Sequence, residues 1–292
     1  MERFIFLTVD GLSRGAVFAA FALALVLIWR ATRIVNFAQG AMAVTSAYVA
    51  FSVTGHTGSY WLGFGAAILS GLLVGVLVER SVMRYVSHDA PLNAVIVALG
   101  VVLLIQAILG FVYGNEFLPS VIPFTRTSFS VGGIPLISPY DIYVVVSIAV
   151  VVVLLVVLFT KTRVGLRLRA SAFAPEVSRL LGVNVARMRT LGWTLAAGAG
   201  ALAALLFIPT DLGLHPNAMD LVFVSAFTGA VVGGLDSPAG AVIGGLAVGV
   251  ILSYVSAYVG ANSSQMAVLV LLLAVLLIRP SGLFSGVAAR RV

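Results

Sequence analysis

The sequence predicts an all-α, polytopic integral membrane protein, on three observations. Apolar residues make up 61% of the 292-residue chain and charged residues 9%, against about 45–50% and about 25% in soluble domains. Mean hydropathy is +1.15. Several apolar runs reach the roughly 20 residues that a helix needs to cross a bilayer. The whole chain reads as one transmembrane domain, residues 1–292.

The breaks between runs are legible in order. Helices are expected at about 12–29, 35–53, 60–78, 92–113, 140–160, 190–208, 219–234, 239–258 and 264–279. The seventh is short and interrupted by glycine, so eight or nine spans are expected. "RATR" (30–33), "GHTGS" (55–59), "ERSVMRYVSHDAP" (79–91) and "GNEFLPSVIPFTRTSFSVGGIPLISP" (114–139) close the first four. "PTDLGLHPN" (209–217), "LDSP" (235–238) and "GANSS" (260–264) divide the last part. The first run is read as a retained helix, because a second long apolar run follows it. With no cysteine in the chain, disulfides, thiol chemistry and cysteine metal sites are excluded. No cofactor is expected.

Basic residues give an expected orientation. If every helix crosses and the 161–189 loop is cytoplasmic, Arg30, Arg33, Arg80, Arg84, Arg279, Arg290 and Arg291 fall on the same side as that loop's seven. Only Arg3, Arg14 and Arg126 of the 17 basic residues then lie outside. The Lys/Arg bias of cytoplasmic loops puts the N-terminus outside and the C-terminus inside. The net charge of +7 follows from that bias and needs no nucleic acid.

Small residues recur four apart: Gly71 and Gly75, Gly229 and Gly233, Gly240 and Gly244, Gly245 and Gly249. Such pairs let helix backbones approach in lipid. "VNFAQGAMAV" (35–44) and "VSAFTGAVVGG" (224–234) are weak echoes of each other on helices that run in opposite directions. They point to an inverted repeat with a pathway at the repeat interface. Asn36, Gln39, Gln106, Ser225 and Thr228 are polar within apolar helices. Each needs a partner in hydrocarbon, so they are candidates to line a pathway or to join helices.

The stretch "RASAFAPEVSRLLGVNVARMR" (169–189) is unlike the rest. Pro175 suits a first helical turn, Glu176 complements the positive helix end, and Gly182 suits the position past the end. Val177, Leu180 and Leu181 fall on one face. The helix is about 10 Å long and cannot span. Its basic residues are topology signals, contacts to anionic lipid, or the rim of a plug that fits a groove on another protein.

Four segments resemble the branched-chain amino acid ABC transporter permeases of LivH type. They are "GLSRGAVFAAFALALVL" with "IVNFAQGAMAV", the 169–184 segment, "SAFTGAVVGGLDSPAGAVIGG" (225–245) and "LLIRPSGLF" (276–284). They run in order from residue 11 to 284. The chain departs from the pattern at Phe173-Ala174, where a polar pair is usual, at Val177-Ser178, where Ala-Ala is common, and at Asp236, where Gly is more usual. The resemblance implies a bacterial or archaeal plasma-membrane importer subunit. Pro175, Glu176, Arg179, Leu180, Leu181 and Gly182 would form the coupling helix, seated on a cytoplasmic ATPase. It also implies a second permease (paralogue or copy) and an extracytoplasmic binding protein.

The chain has no Walker loop, since Lys161, its one lysine, follows Thr160. The acids Glu2, Asp10, Glu79, Asp89, Glu116, Asp141, Glu176, Asp211, Asp220 and Asp236 are read at helix ends or in loops. So are His56, His88 and His215. Energy is therefore expected from a partner. No catalytic constellation is legible, so the chain is not expected to be an enzyme. The alternative is an autonomous channel or secondary carrier for a small solute such as urea or an amide.

Overall fold

The computed structural model describes residues 2–86, 91–131, 134–210 and 213–284. His88, Asp89, Asp211, Arg290 and Arg291 lie outside them. Among the described residues nine helices appear in the expected order: α1 (Glu2–Thr32), α2 (Gln39–Thr57), α3 (Tyr60–Ser81), α4 (Pro91–Tyr113), α5 (Pro139–Lys161), α8 (Val185–Phe207), α9 (Asp220–Gly233), α10 (Pro238–Tyr258) and α11 (Ser263–Ile278). Between α5 and α8 stand α6 (Arg163–Phe173) and α7 (Pro175–Leu180). A small antiparallel hairpin, β1 (Phe129–Val131) with β2 (Ile134–Ile137), sits in the long 114–139 connection.

Local chemistry sets the ends. Ser138 and Asp141 form a reciprocal cap on α5, with Pro139 in its first turn. The Ser237 hydroxyl accepts from the Gly240 N–H ahead of Pro238, and Asn184 accepts from the Arg187 N–H to start α8. Gly58 ends α2 in the left-handed region at φ +69°.

Among the described residues six helices are, by length and composition, apolar enough to cross a membrane: α1, α3, α4, α5, α8 and α10. With the shorter apolar helices α9 and α11, this is the expected all-α, polytopic architecture. Polar residues dilute the 19-residue α2. The 14 residues of α9 and 16 of α11 reach about 21 and 24 Å, short of a 30 Å hydrocarbon core. α1 begins some ten residues before its expected start, so Asp10 lies inside a helix rather than in a loop. His56 lies in the last turn of α2. Asn36 precedes α2, in a non-helical turn.

The contacts repeat in two halves. α1 and α8 form the interior and run antiparallel: Ala31 meets Gly192 at one end, and Phe18 meets Phe207 at the other, with ring centroids 6.4 Å apart. α10 packs on α1 as α3 packs on α8; α9 packs on α10 as α2 packs on α3; α11 packs on α9 as α4 packs on α2. The inverted repeat therefore pairs α1–α4 with α8–α11, and α5 links the halves. Glycines make the equivalent approaches. Gly71 and Gly75 admit Ala201, Ala197 and Trp193 of α8, and Gly245 and Gly249 admit Ala19 and Gly15 of α1. Gly229 and Gly233 meet Gly240, Gly244 and Gly245 backbone to backbone, which is the van der Waals contact that lipid leaves available.

Arg33 reaches Asp236, and Arg84 and Arg189 reach Glu79, so these bases share one end of the bundle. Arg14 and Arg126 line one pocket at the other. The segment after α11 returns to the basic end. The Leu283 and Phe284 N–H groups donate to the Val232 and Gly233 carbonyls, satisfying the end of the short α9.

Candidate functional site

At the basic end, residues 161–189 form a folded unit rather than a loop with one short helix. Thr162 caps α6 by accepting from the Gly165 N–H, and α6 packs on α5, α1 and α8. Ala174 then turns the chain into α7 without a side-chain cap, as expected of an Ala in the N-cap position. Pro175 and Glu176 occupy its first turn. The helix stops where Gly182 takes φ +80°. There the Gly182 N–H bonds the Arg179 carbonyl and the Val183 N–H bonds the Ser178 carbonyl. Ser178 is buried, while Leu180 and Leu181 are 88% and 78% exposed. One face of α7 is thus anchored and the other presents bare aliphatic surface.

A buried clamp lies behind this handle, and the sequence did not reveal it. Glu79 is fully buried near the end of α3. Its Oε1 accepts from Arg189 Nε at 2.9 Å, and its Oε2 from Arg84 Nη2 at 3.2 Å and Thr190 Oγ1 at 2.7 Å. Arg189 and Thr190 stand in the second turn of α8, directly after α7. The handle is therefore tied to α3 as well as to α8. Arg84, five residues from Glu79, is a local signal; the pairing with residues 110 positions away is not.

In the interior, α2 and α9 meet at their first residues. Gly40 faces the Met219 carbonyl. Asn36 accepts from the Ala38 N–H and donates to Gln39 Oε1 at 3.0 Å; Gln39 Nε2 donates to the Ala196 carbonyl at 2.8 Å. Both side chains are fully buried, so in this conformation they join the start of α2 to α8. The start of α9 repeats the device. Asn217 Nδ2 donates to Asp220 Oδ2 at 3.0 Å, and Gln106 Nε2 reaches Asp220 Oδ1 and Oδ2 at 3.2 and 3.3 Å. Ser225 and Thr228 bond carbonyls one turn back on α9. Both are buried, and Ser225 also lines a cavity of about 540 Å³ between α1, α9, α10 and α11. The structure does not bring the five pathway candidates to one point. Asn36 and Gln39 form one group, Gln106 another, and the two hydroxyls lie further along α9.

Asp220 is the first residue of α9, a helix-end position as expected. Gln106 is seven residues, about 10 Å, from the Tyr113 end of α4, and α9 runs about 20 Å from Asp220 to the basic end. The carboxylate therefore lies beside the apolar span of α4 rather than beyond its end. A charge there costs about 2.5–3.5 kcal/mol on insertion scales, while the helix dipole returns only about 0.3–1 kcal/mol. Neither Asp220 nor Asp10 hydrogen-bonds a second carboxylate or a histidine among the described residues.

Two oppositely directed half-bundles around a buried helix pair define a multi-pass membrane protein of inverted-repeat type. The chain belongs to the family described as branched-chain amino acid transport system / permease component, matched over residues 7–278. It is 27% identical over 278 residues to a probable branched-chain amino acid transport permease protein LivH of Methanocaldococcus jannaschii, covering 90% of this chain and 86% of that one. Two further relatives are also 27% identical. They are the LivH permease of the high-affinity branched-chain amino acid transport system of Escherichia coli K12 and its counterpart BraD of Pseudomonas aeruginosa, each covering 97% of this chain and 96% of the relative. Among solved structures, PsaBC from Streptococcus pneumoniae in complex with Fab shares the fold. The TM-score is 0.53 at 13% identity, over 93% of this chain and 91% of that one.

Proposed function

We propose that the chain is the membrane-spanning subunit of an ATP-binding-cassette importer for branched-chain or other small amino acids. The observation that carries this is α7: an anchored six-residue helix whose aliphatic face is left bare at the basic end. That face suits a groove on a partner, and the anchoring ties any push on it to α8 and α3. Family membership and the names of the relatives support the substrate class. In this reading Pro175, Glu176, Arg179, Leu180, Leu181 and Gly182 dock a cytoplasmic ATPase, which alone hydrolyses ATP. The permease is not itself an enzyme. A second permease completes the pore and an extracytoplasmic binding protein delivers solute. Asn36, Gln39, Gln106, Ser225 and Thr228 border the path, and Gly229, Gly233, Gly240 and Gly244 hold α9 to α10. The grouping of bases at one end supports a cytoplasmic handle and an external N-terminus.

The test is Leu180→Asp with Leu181→Asp in the reconstituted complex. Both side chains are exposed, so folding should survive. ATPase association and ATP-driven uptake should both fall. Retention of both would refute docking through α7. Solute flux by the permease without any ATPase would favour the autonomous channel or carrier.

A further inference from the structure

We propose that Asp220, with the phenyl rings of Phe223, Phe227 and Phe37 beside it, is the point on the solute path that recognises the α-ammonium group and aliphatic side chain of a free amino acid. This rests on the reading of the chain as an amino-acid permease and names the residues that would give that reading its chemistry.

Within the bundle the other carboxylates are matched. Glu79 meets two arginines, Asp10 meets Arg14, and Asp236 meets Arg33. Asp141 caps α5 at the end opposite the basic residues. Asp220 is held by Gln106, which lies about 10 Å along the apolar α4 from its Tyr113 end, and its two partners, Gln106 and Asn217, are neutral amides. No base forms an ion pair with it among the described residues. The amide N–H groups fix its orientation and leave its negative charge uncompensated. A carboxylate offers about four acceptor sites, and it is only partly buried, so room remains for a cation from the open side.

The surroundings select which cation. Phe223 and Phe227 follow Asp220 at i+3 and i+7, so the three lie along one stripe of α9. Their rings stack with centroids 6.1 Å apart and planes 2° apart. Phe37, in the turn before α2, joins them at 5.7 and 6.1 Å. All three rings are partly exposed. A hydrated metal ion gains little from such a wall. An ammonium carried on an aliphatic chain gains twice: its head meets the carboxylate and the ring faces, and its side chain covers phenyl surface. The stripe stands where the first turns of the inverted repeats meet, the place where such folds hold solute.

The experiment measures binding of radiolabelled leucine to the purified complex by scintillation proximity. Unlabelled leucinamide, which keeps the ammonium and lacks the carboxylate, and 4-methylpentanoate, which lacks the ammonium, serve as competitors. Wild type should be displaced by leucinamide and not by 4-methylpentanoate. Asp220→Asn should weaken leucine binding at least tenfold and abolish that preference, while Asp220→Glu restores it. Phe223→Ala should weaken binding with the preference kept. ATPase pull-down and thermal midpoint, read in parallel, should be unchanged. Wild-type binding by Asp220→Asn, or equal displacement by both competitors in wild type, overturns the site. A loss of midpoint in Asp220→Asn and in Asp220→Glu alike, with the preference intact in whatever binds, makes Asp220 structural and overturns it too. A wild-type complex that neither binds nor carries leucine sinks the amino-acid reading itself, and the site with it.

Discussion

The Glu79 clamp gives the sharpest test of how the handle is held. Arg189→Leu leaves a fully buried carboxylate with one cation, Arg84, whose side chain is 36% exposed. Breaking a buried ion pair from one side costs about 3–5 kcal/mol. Because Arg84 and Thr190 remain, the low end, about 3 kcal/mol, is expected. Glu79→Gln removes the charge but keeps an acceptor for Thr190. The two arginines that lose this partner are partly exposed and water can replace it, so about 1–2 kcal/mol is expected. The double variant should cost less than the sum, with a coupling of about 1–2 kcal/mol. Thermal unfolding of the purified protein in one detergent, at one scan rate, reads this as a midpoint shift of roughly 6 °C or more for Arg189→Leu and about half that or less for Glu79→Gln. In the assembled transporter Glu79→Gln should keep ATPase association and lower solute carried per ATP. The clamp is refuted if Arg189→Leu is as stable as wild type, or if the two single changes add with no coupling.

Two further outcomes follow from packing and topology. A methyl group at Gly233 would fall inside the Gly240 carbonyl, which is backbone and cannot step aside; Gly233→Ala should destabilise by about 1–3 kcal/mol. Gly100→Ala, with open space around it on α4, should be neutral or gain up to about 1 kcal/mol. Equal midpoints for the two variants would contradict the close α9–α10 approach. The chain has no cysteine, so single introduced thiols report sidedness cleanly. A membrane-impermeant maleimide on intact cells should label Phe117→Cys and spare the exposed Phe173→Cys until the cells are opened. The reverse pattern would invert the orientation.

The α7 handle was legible because its determinants are local. Pro175 at the first turn, Gly182 past the last, and apolar positions three and four apart all act within ten residues. The neighbouring α6 is not legible from hydropathy alone, because its arginines mask an amphipathic helix. Asp220 reads as a helix-end acid, and it is the first residue of α9; its partner Gln106 is not legible, because it comes from a helix more than 100 residues earlier. Asn36 and Gln39 stand out as polar within apolar sequence, but the Ala196 carbonyl that Gln39 bonds is a backbone group that no side-chain pattern announces. The departure at Asp236 is explained by Arg33 and by Trp29 Nε1, which donates to it at 3.2 Å; both lie some 200 residues away.

By itself the sequence determined that the chain lives in a bilayer, the order of its helices, and the basic end that carries the handle. These follow from transfer free energy, turn chemistry and charge, which act on each segment alone. Only the tertiary structure decided which helices form the interior. In water the most apolar segments go inside; here the most apolar helices, α4 and α5, are largely exposed and the less apolar α1 and α8 are buried. Lipid tails are as apolar as leucine, so burial in this protein is governed by close backbone approach and by polar groups that need partners, and both are properties of pairs of helices.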